Sequence, residues 1–203
     1  MIESSRINFQ REHGRGFIVN IGAREDPVGF PPETTVHVDL DGWRHPLSVQ
    51  ADAHHLPFRD NAFDAAVLGD ILEHAVDPLK MVVEAGRVAK RVVLTIFEEW
   101  RLGGPGQHID RGIEQTREEL RRQGYRDLDH YKRTYEPLKE RFLRGLPENR
   151  LPHSFHINQF TDEDINKLVE ASGMRCLIFM KRPEATHEGH TWQNWLILLE
   201  KVN

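Results

Sequence analysis

Four acids stand just after apolar runs in the first half of the chain, where they could hold a ligand. FIVNI (17–21) ends at Gly22 and Ala23. TTVHVD (34–39) closes on Asp39, with Asp41 beyond it. SVQAD (48–52) closes on Asp52 before Ala53, and FDAAVL (63–68) runs into Gly69 and Asp70. In an open α/β sheet, ligands bind outside the carboxyl ends of the strands. A carboxylate closing the second strand can accept from both hydroxyls of a nucleoside ribose, and one closing the third from an adenine amino group. Gly22 would let a ligand approach the backbone closely. A strand-end Asp is also an ordinary turn residue, so the argument rests on several such residues falling in register along one edge.

His74 lies four residues after Asp70. If that stretch is helical, the two share a face. They then read as an acid–base pair, with His74 taking a proton from a hydroxyl or amine near neutral pH. The plainer reading is a helix-start acid and a packed histidine. His153-x-x-His156 and His187-x-x-His190 lack a third ligand in sequence, so no metal site is assigned. His54 and His55 border the presumed adenine edge or cap the turn after the third strand. His108 follows the turn GGPGQ, a hinge or an ordinary loop. Trp43 and Trp100 near strand ends could face a cation or simply pack.

These residues need a sheet to position them. FIVNI, TTVHVD, SVQAD, FDAAVL and RVVLTIF (91–97) read as five strands, the continuous apolar ones as buried parallel strands. Between the last two, Asp77 suits an N-cap and Pro78 the first helical position. Leu79, Val82, Val83 and Gly86 then mark one helix face. AREDPVGFPPE and LDGWRHPL are too short and proline-rich for the first two crossover helices. Thr161-x-x-Asp164 resembles a capping box, Ile165, Leu168 and Val169 a buried face, and Gly173 a stop. CLIFM (176–180) and WLILLE (195–200) read as an antiparallel pair joined by PEATHEGHTWQN. The predicted class is α/β: a Rossmann-like, mostly parallel sheet with a C-terminal antiparallel strand pair and reduced first crossover helices.

The chain has 203 residues, which suits one domain, 1–203, with a polar helical insertion at about 98–160 placed to act as a lid. A single cysteine excludes an intramolecular disulfide and a cysteine-based zinc site. The formal charge of −5 speaks against a nucleic-acid partner, although basic and aromatic residues interleave in 111–150. No apolar run approaches the roughly 20 residues of a membrane span, and the N-terminus has no apolar core of a signal peptide. A cytoplasmic location without membrane contact is expected.

The segment ADAHHLPFRDNAFDAAVLGDILEHAVDPLKMVVEAGRV (51–88) resembles the centre of the class I S-adenosylmethionine-dependent methyltransferases of the type 11 kind. VNIGAREDPVGF followed by VHVDLD is similar to a subset with a reduced first crossover helix. The resemblance covers 17–97, and 155–173 more loosely. It implies that S-adenosylmethionine is the cofactor, with Asp39 on the ribose and Asp52 and Ala53 flanking the adenine. Gly22 and Ala23 would line the approach of the methionine end, and the Gly69 backbone would meet its amino group. The family's usual Gly-x-Gly-x-Gly loop is degenerate here, reading Gly22-Ala23-Arg24-Glu25-Asp26.

The resemblance implies methyl transfer to a small-molecule or saccharide acceptor. The altered loop leaves open a weak or inactive, methyltransferase-like binding protein. The basic segment leaves open an RNA or protein methyltransferase. Two absent crossover helices leave one sheet face to be covered, either by the 112–144 helices or by a second subunit, so a homodimer is an expectation.

Overall fold

The computed structural model describes residues 4–23, 28–40, 47–98, 121–122, 124, 126–127, 130, 158, 160–187 and 190–202, with backbone only at 98, 184–187 and 190–192. Seven strands form one sheet: β1 (Ile18–Ile21), β2 (Thr35–Asp39), β3 (Ser48–Gln50), β4 (Phe63–Gly69), β5 (Ala89–Glu98), β6 (Arg175–His187) and β7 (His190–Glu200). Their order is β3-β2-β1-β4-β5-β7-β6. The first five pair in parallel; β7 runs antiparallel to both β5 and β6. The predicted fold class is therefore the observed one. The switch point lies between β1 and β4, where the strand order reverses.

Strand limits shift in two places. β5 starts at Ala89, directly after its helix, rather than at residue 91. The connection read as the loop PEATHEGHTWQN is largely strand, because β6 and β7 continue as a hairpin to His187↔His190.

Helix α2 (Pro78–Val88) crosses from β4 to β5. Asp77 caps it by accepting from Lys80 N–H at 3.0 Å, and Pro78 occupies its first turn. Its buried stripe is Met81, Val82, Ala85, Gly86 and Val88. Val83 is 43% exposed and does not belong to it. One position round the helix from Val82 is a turn of about 100°, enough to move a side chain from core to solvent. Helix α3 (Asp162–Ala171) carries the capping box foreseen for it, with Thr161 and Asp164 bonded reciprocally. Ile165, Leu168 and Val169 face the core, and α2 and α3 cover the same side of the sheet.

The opposite side is covered by an element that periodicity does not mark. Helix α1 (Ser5–His13) begins at Ser4, whose Oγ accepts from Ile7 N–H. It lays Phe9 and Ile7 over Ile18, Val67, Val93, Leu196 and Leu198, and the Val28–Phe30 segment adds two further apolar side chains. This corrects the expectation that only the 112–144 helices or a second subunit could cover that face. The homodimer argument loses the bare surface on which it rested. The 98–160 insertion lies almost wholly outside the described residues, as do its proposed helices.

Candidate active site

The carboxyl ends of β1 to β4 open onto a cavity of about 310 Å³. Gly22, Asp39, Asp52, Ala53, Asp70 and His74 all line it. Its remaining walls are apolar apart from His54: Val38, Leu40, Ala51, Ile71, Ala75 and Met81. Two residues named from sequence do not line it. Ala23 is buried, its N–H donating to the Val38 carbonyl at 3.3 Å. Gly69 instead faces Gln10 of α1, whose Nε2 would lie 2.5 Å from a Cβ placed there.

Register brings the two strand-end acids together. Asp39 pairs with Gln50 across β2 and β3, and the Asp39 carbonyl accepts from Ala51 N–H at 3.0 Å. Asp52 therefore follows directly on the neighbouring strand end. Asp52 is 5% exposed and firmly oriented. Its Oδ1 accepts from the His54 N–H at 3.0 Å and sits 2.7 Å from His54 Nδ1. The Asp77 N–H donates to His54 Nε2 at 3.2 Å, so Nε2 is an acceptor and the ring proton lies on Nδ1, toward Asp52. His55 Nδ1 lies 3.3 Å from the other oxygen. The turn that carries these residues is clamped from α2. Arg87 donates to both oxygens of Glu84 at 2.9 Å, to the Leu56 and Phe58 carbonyls at 2.9 and 2.7 Å, and to Asp60. These donors hold the Glu84 carboxyl below the usual carboxylate range.

At β4 the arrangement differs from the helix face expected of Asp70 and His74. Asp70 has φ +49, and Leu72–His74 is a single 3-10 turn. The left-handed residue breaks the helical spacing on which the pairing depended. The Asp70 carboxylate accepts from Thr95 Oγ1 at 3.1 Å and pairs with the Arg6 guanidinium. Asp70 and His74 share the cavity while Asp70's bonds go to α1 and β5. Asn158 fastens the 3-10 turn from outside, donating Nδ2–H to the Leu72 and Ala75 carbonyls at 3.0 and 2.6 Å.

Gly22 has φ +75, and a Cβ there would lie 2.2 Å from Ile71 Cδ1. A bare backbone is thus required where β1 meets the cavity. Two carboxylates at adjoining strand ends, apolar walls and this glycine suit an adenosyl group: acids for hydroxyl and amino donors, apolar surface for a purine face. Residues 33–97 match the family model described as a methyltransferase domain. Across those residues the chain is similar to a methyltransferase domain.

Solved structures share this domain's fold. An S-adenosylmethionine-dependent methyltransferase from Methanosarcina mazei is 17% identical, with TM-score 0.57, over 94% of this chain and 96% of that one. The 1,6-didemethyltoxoflavin-N1-methyltransferase of Burkholderia thailandensis, solved with 1,6-didemethyltoxoflavin and S-adenosylhomocysteine, is 13% identical with TM-score 0.55, over 99% and 80%. Magnesium protoporphyrin IX methyltransferase from Synechocystis, with bound S-adenosylhomocysteine, is 12% identical with TM-score 0.52, over 98% and 81%. No curated protein matches the sequence.

Among the described residues, no helix is long and apolar enough to cross a membrane. No group of three or more His, Cys, Asp or Glu stands together among them as a metal site would need. Arg24, Glu25 and Asp26 lie outside the described residues, as do Asp41, Trp43, Trp100, His108, His153 and His156. Sequence reasoning missed Arg6, Gln10 and Thr95 at the β4 end. It also missed the locking of Asp52 by His54, although His54 was flagged by its place in the motif.

Proposed function

We propose that this protein transfers a methyl group from S-adenosylmethionine to a small-molecule or saccharide acceptor. The supporting observation is the convergence of Gly22, Asp39, Asp52, Ala53, Asp70 and His74 on one cavity at the carboxyl edge of the sheet. When bound, the cofactor supplies an electrophilic methyl group on a sulfonium sulfur. Asp39 accepts from the ribose hydroxyls, and Asp52 with the Ala53 backbone flanks the adenine. The apolar walls exclude water from the purine. Gly22, Ala23 and Gly69 shape the methionine end, Gly69 and Ala23 from behind the cavity wall. Asp70 contributes a fixed negative charge there. His74, which lines the same cavity, removes the proton of a hydroxyl or amine acceptor. Holding donor and acceptor in line can contribute roughly 7–11 kcal/mol of rate enhancement, so little further chemistry is required of the protein.

A small-molecule acceptor accords with the relative that holds 1,6-didemethyltoxoflavin. The 98–160 insertion covers the acceptor as a lid on a single domain, and the protein acts in the cytoplasm. The test is calorimetric titration of the full chain with S-adenosylmethionine and S-adenosylhomocysteine, followed by methyl transfer to hydroxyl, amine and saccharide acceptors. Binding with transfer to any of these, lost in His74→Ala, supports the reading. Absence of binding overturns it. Binding without transfer across the panel would favour a binding protein instead.

A further inference from the structure

Helix α1 does more than cover the sheet. Arg6 and Gln10 lie one turn apart, so their side chains leave the same face of the helix. Both reach the carboxyl ends of β4 and β5. Gln10 is 5% exposed, and its Nε2–H donates to Thr95 Oγ1 at 2.6 Å. Thr95 Oγ1 donates in turn to Asp70 Oδ1, while the Arg6 guanidinium pairs with Oδ2. Gln10 also fills the space beside Gly69, which has no room for a side chain. Asp70 needs this restraint, because φ +49 is disfavoured for a residue with a Cβ. The next residue, Ile71, packs against Gly22. A line of contacts therefore runs from α1 through Asp70 and Ile71 to Gly22, the part of the cavity assigned above to the amino-acid end of the cofactor.

We propose that Arg6 and Gln10 are positioning residues for the amino-acid end of the cofactor, acting through Asp70 and Gly69. The proposal rests on the cofactor reading above. Asp70 lines the cavity whereas Arg6 and Gln10 stand behind it. The ribose and adenine side is built from β2 and β3, while α1 packs on β4, β5, β6 and β7. Loss of the α1 contacts should therefore disturb one end of the ligand and spare the other.

The test compares two ligands on the full chain by calorimetry. S-Adenosylhomocysteine carries the amino-acid head; 5′-methylthioadenosine has the same adenosine and sulfur without it. Arg6→Ala and Gln10→Ala should each weaken S-adenosylhomocysteine about tenfold and leave 5′-methylthioadenosine within about twofold. Arg6→Lys should recover part of the loss. Melting temperatures of the unliganded variants accompany the titrations, and Arg6→Lys and Gln10→Ala carry the test if Arg6→Ala does not fold. Equal losses for both ligands would mean that α1 only packs, and unchanged affinities would mean that it does not reach the site; either overturns the proposal. A wild-type chain that binds neither ligand overturns the cofactor reading and this proposal with it.

Discussion

The side of the cavity under β2 and β3 and the side beside β4 and β5 are held by different means. Under β2 and β3 the acid itself is oriented locally: His54 holds Asp52 from two residues away, while Arg87 of α2 ties the turn that follows to the helix. Beside β4 the decisive contacts are long. Gln10 reaches Thr95 across 85 residues, and Thr95 reaches Asp70 across 25. An acid oriented by its neighbours in sequence keeps that orientation through any motion of its own segment. A side assembled from three elements depends on all of them docking, and α1, unlike β4 and β5, is not held by strand pairing.

The largest effect should come from loosening that attachment. Phe9 is 6% exposed, set among Ile18, Phe30, Val67 and Leu196, with its ring edge-on to His13 at 4.5 Å. Truncating a buried Phe typically costs about 3–5 kcal/mol. Phe9→Ala should lower unfolding stability by about 3 kcal/mol in urea titration. A loss below about 1 kcal/mol would mean that α1 adds little to the fold, and the contrast between the two sides would fail.

Next in size is the seam between them. Gly22 belongs to the β1 end and Ile71 to the β4 side, and a methyl group at Gly22 would fall on Ile71. Alanine at φ +75 also carries about 1–2 kcal/mol of backbone strain. Gly22→Ala should weaken S-adenosylhomocysteine by about 30-fold or more, roughly 2 kcal/mol. Adding Ile71→Ala should restore the part due to collision and leave the part due to strain. Full restoration would show that backbone conformation at Gly22 is immaterial.

The same division explains what could be read from the sequence. Strands β1 to β5, the capped helix α2 and the acids Asp39 and Asp52 are all written locally, as apolar runs with a polar residue at a fixed end. The capping box at Thr161 is equally local. Helix α1 is not, because its buried face is little more than Ile7, Phe9 and a glutamine. Gln10 is polar in sequence and buried in the structure because Thr95 satisfies it. No spacing rule connects residues 10 and 95, so the network around Asp70 was illegible. The pairing of Asp70 with His74 failed for a related reason: four-residue spacing implies a shared face only on a helix, and a left-handed residue intervenes.

On the β2 side the expected effect is smaller and uniform. Asp39 lines the cavity at the end of β2. A carboxylate accepting from ribose hydroxyls contributes about 1.5–3 kcal/mol. Asp39→Ala should weaken S-adenosylhomocysteine and 5′-methylthioadenosine alike, each by roughly tenfold. This is the complement of the pattern expected for Arg6. A loss confined to S-adenosylhomocysteine would place Asp39 at the amino-acid end and collapse the distinction between the sides.

The smallest effect concerns the clamp that keeps the β3 turn against α2. Hydrogen bonds from the Arg87 side chain are the main reason the Glu84 carboxyl is held below its ordinary value, with the Leu56 N–H adding to them against the cost of burial. A carboxylate whose folded pKa is depressed stabilises the fold above its unfolded pKa, near 4.5, and that contribution is lost as pH falls through the folded value. Stability should therefore decline on acidification below about pH 4.5 in part through Glu84. Glu84→Gln keeps the shape and much of the hydrogen bonding while removing the titration. Its stability at pH 7 should be lower than wild type, with the difference narrowing steadily as pH falls below that point. Parallel curves for the two proteins between pH 6 and pH 3 would show that the clamp holds by geometry alone. The β3 side of the cavity would then owe nothing to the charge on the Glu84 carboxylate.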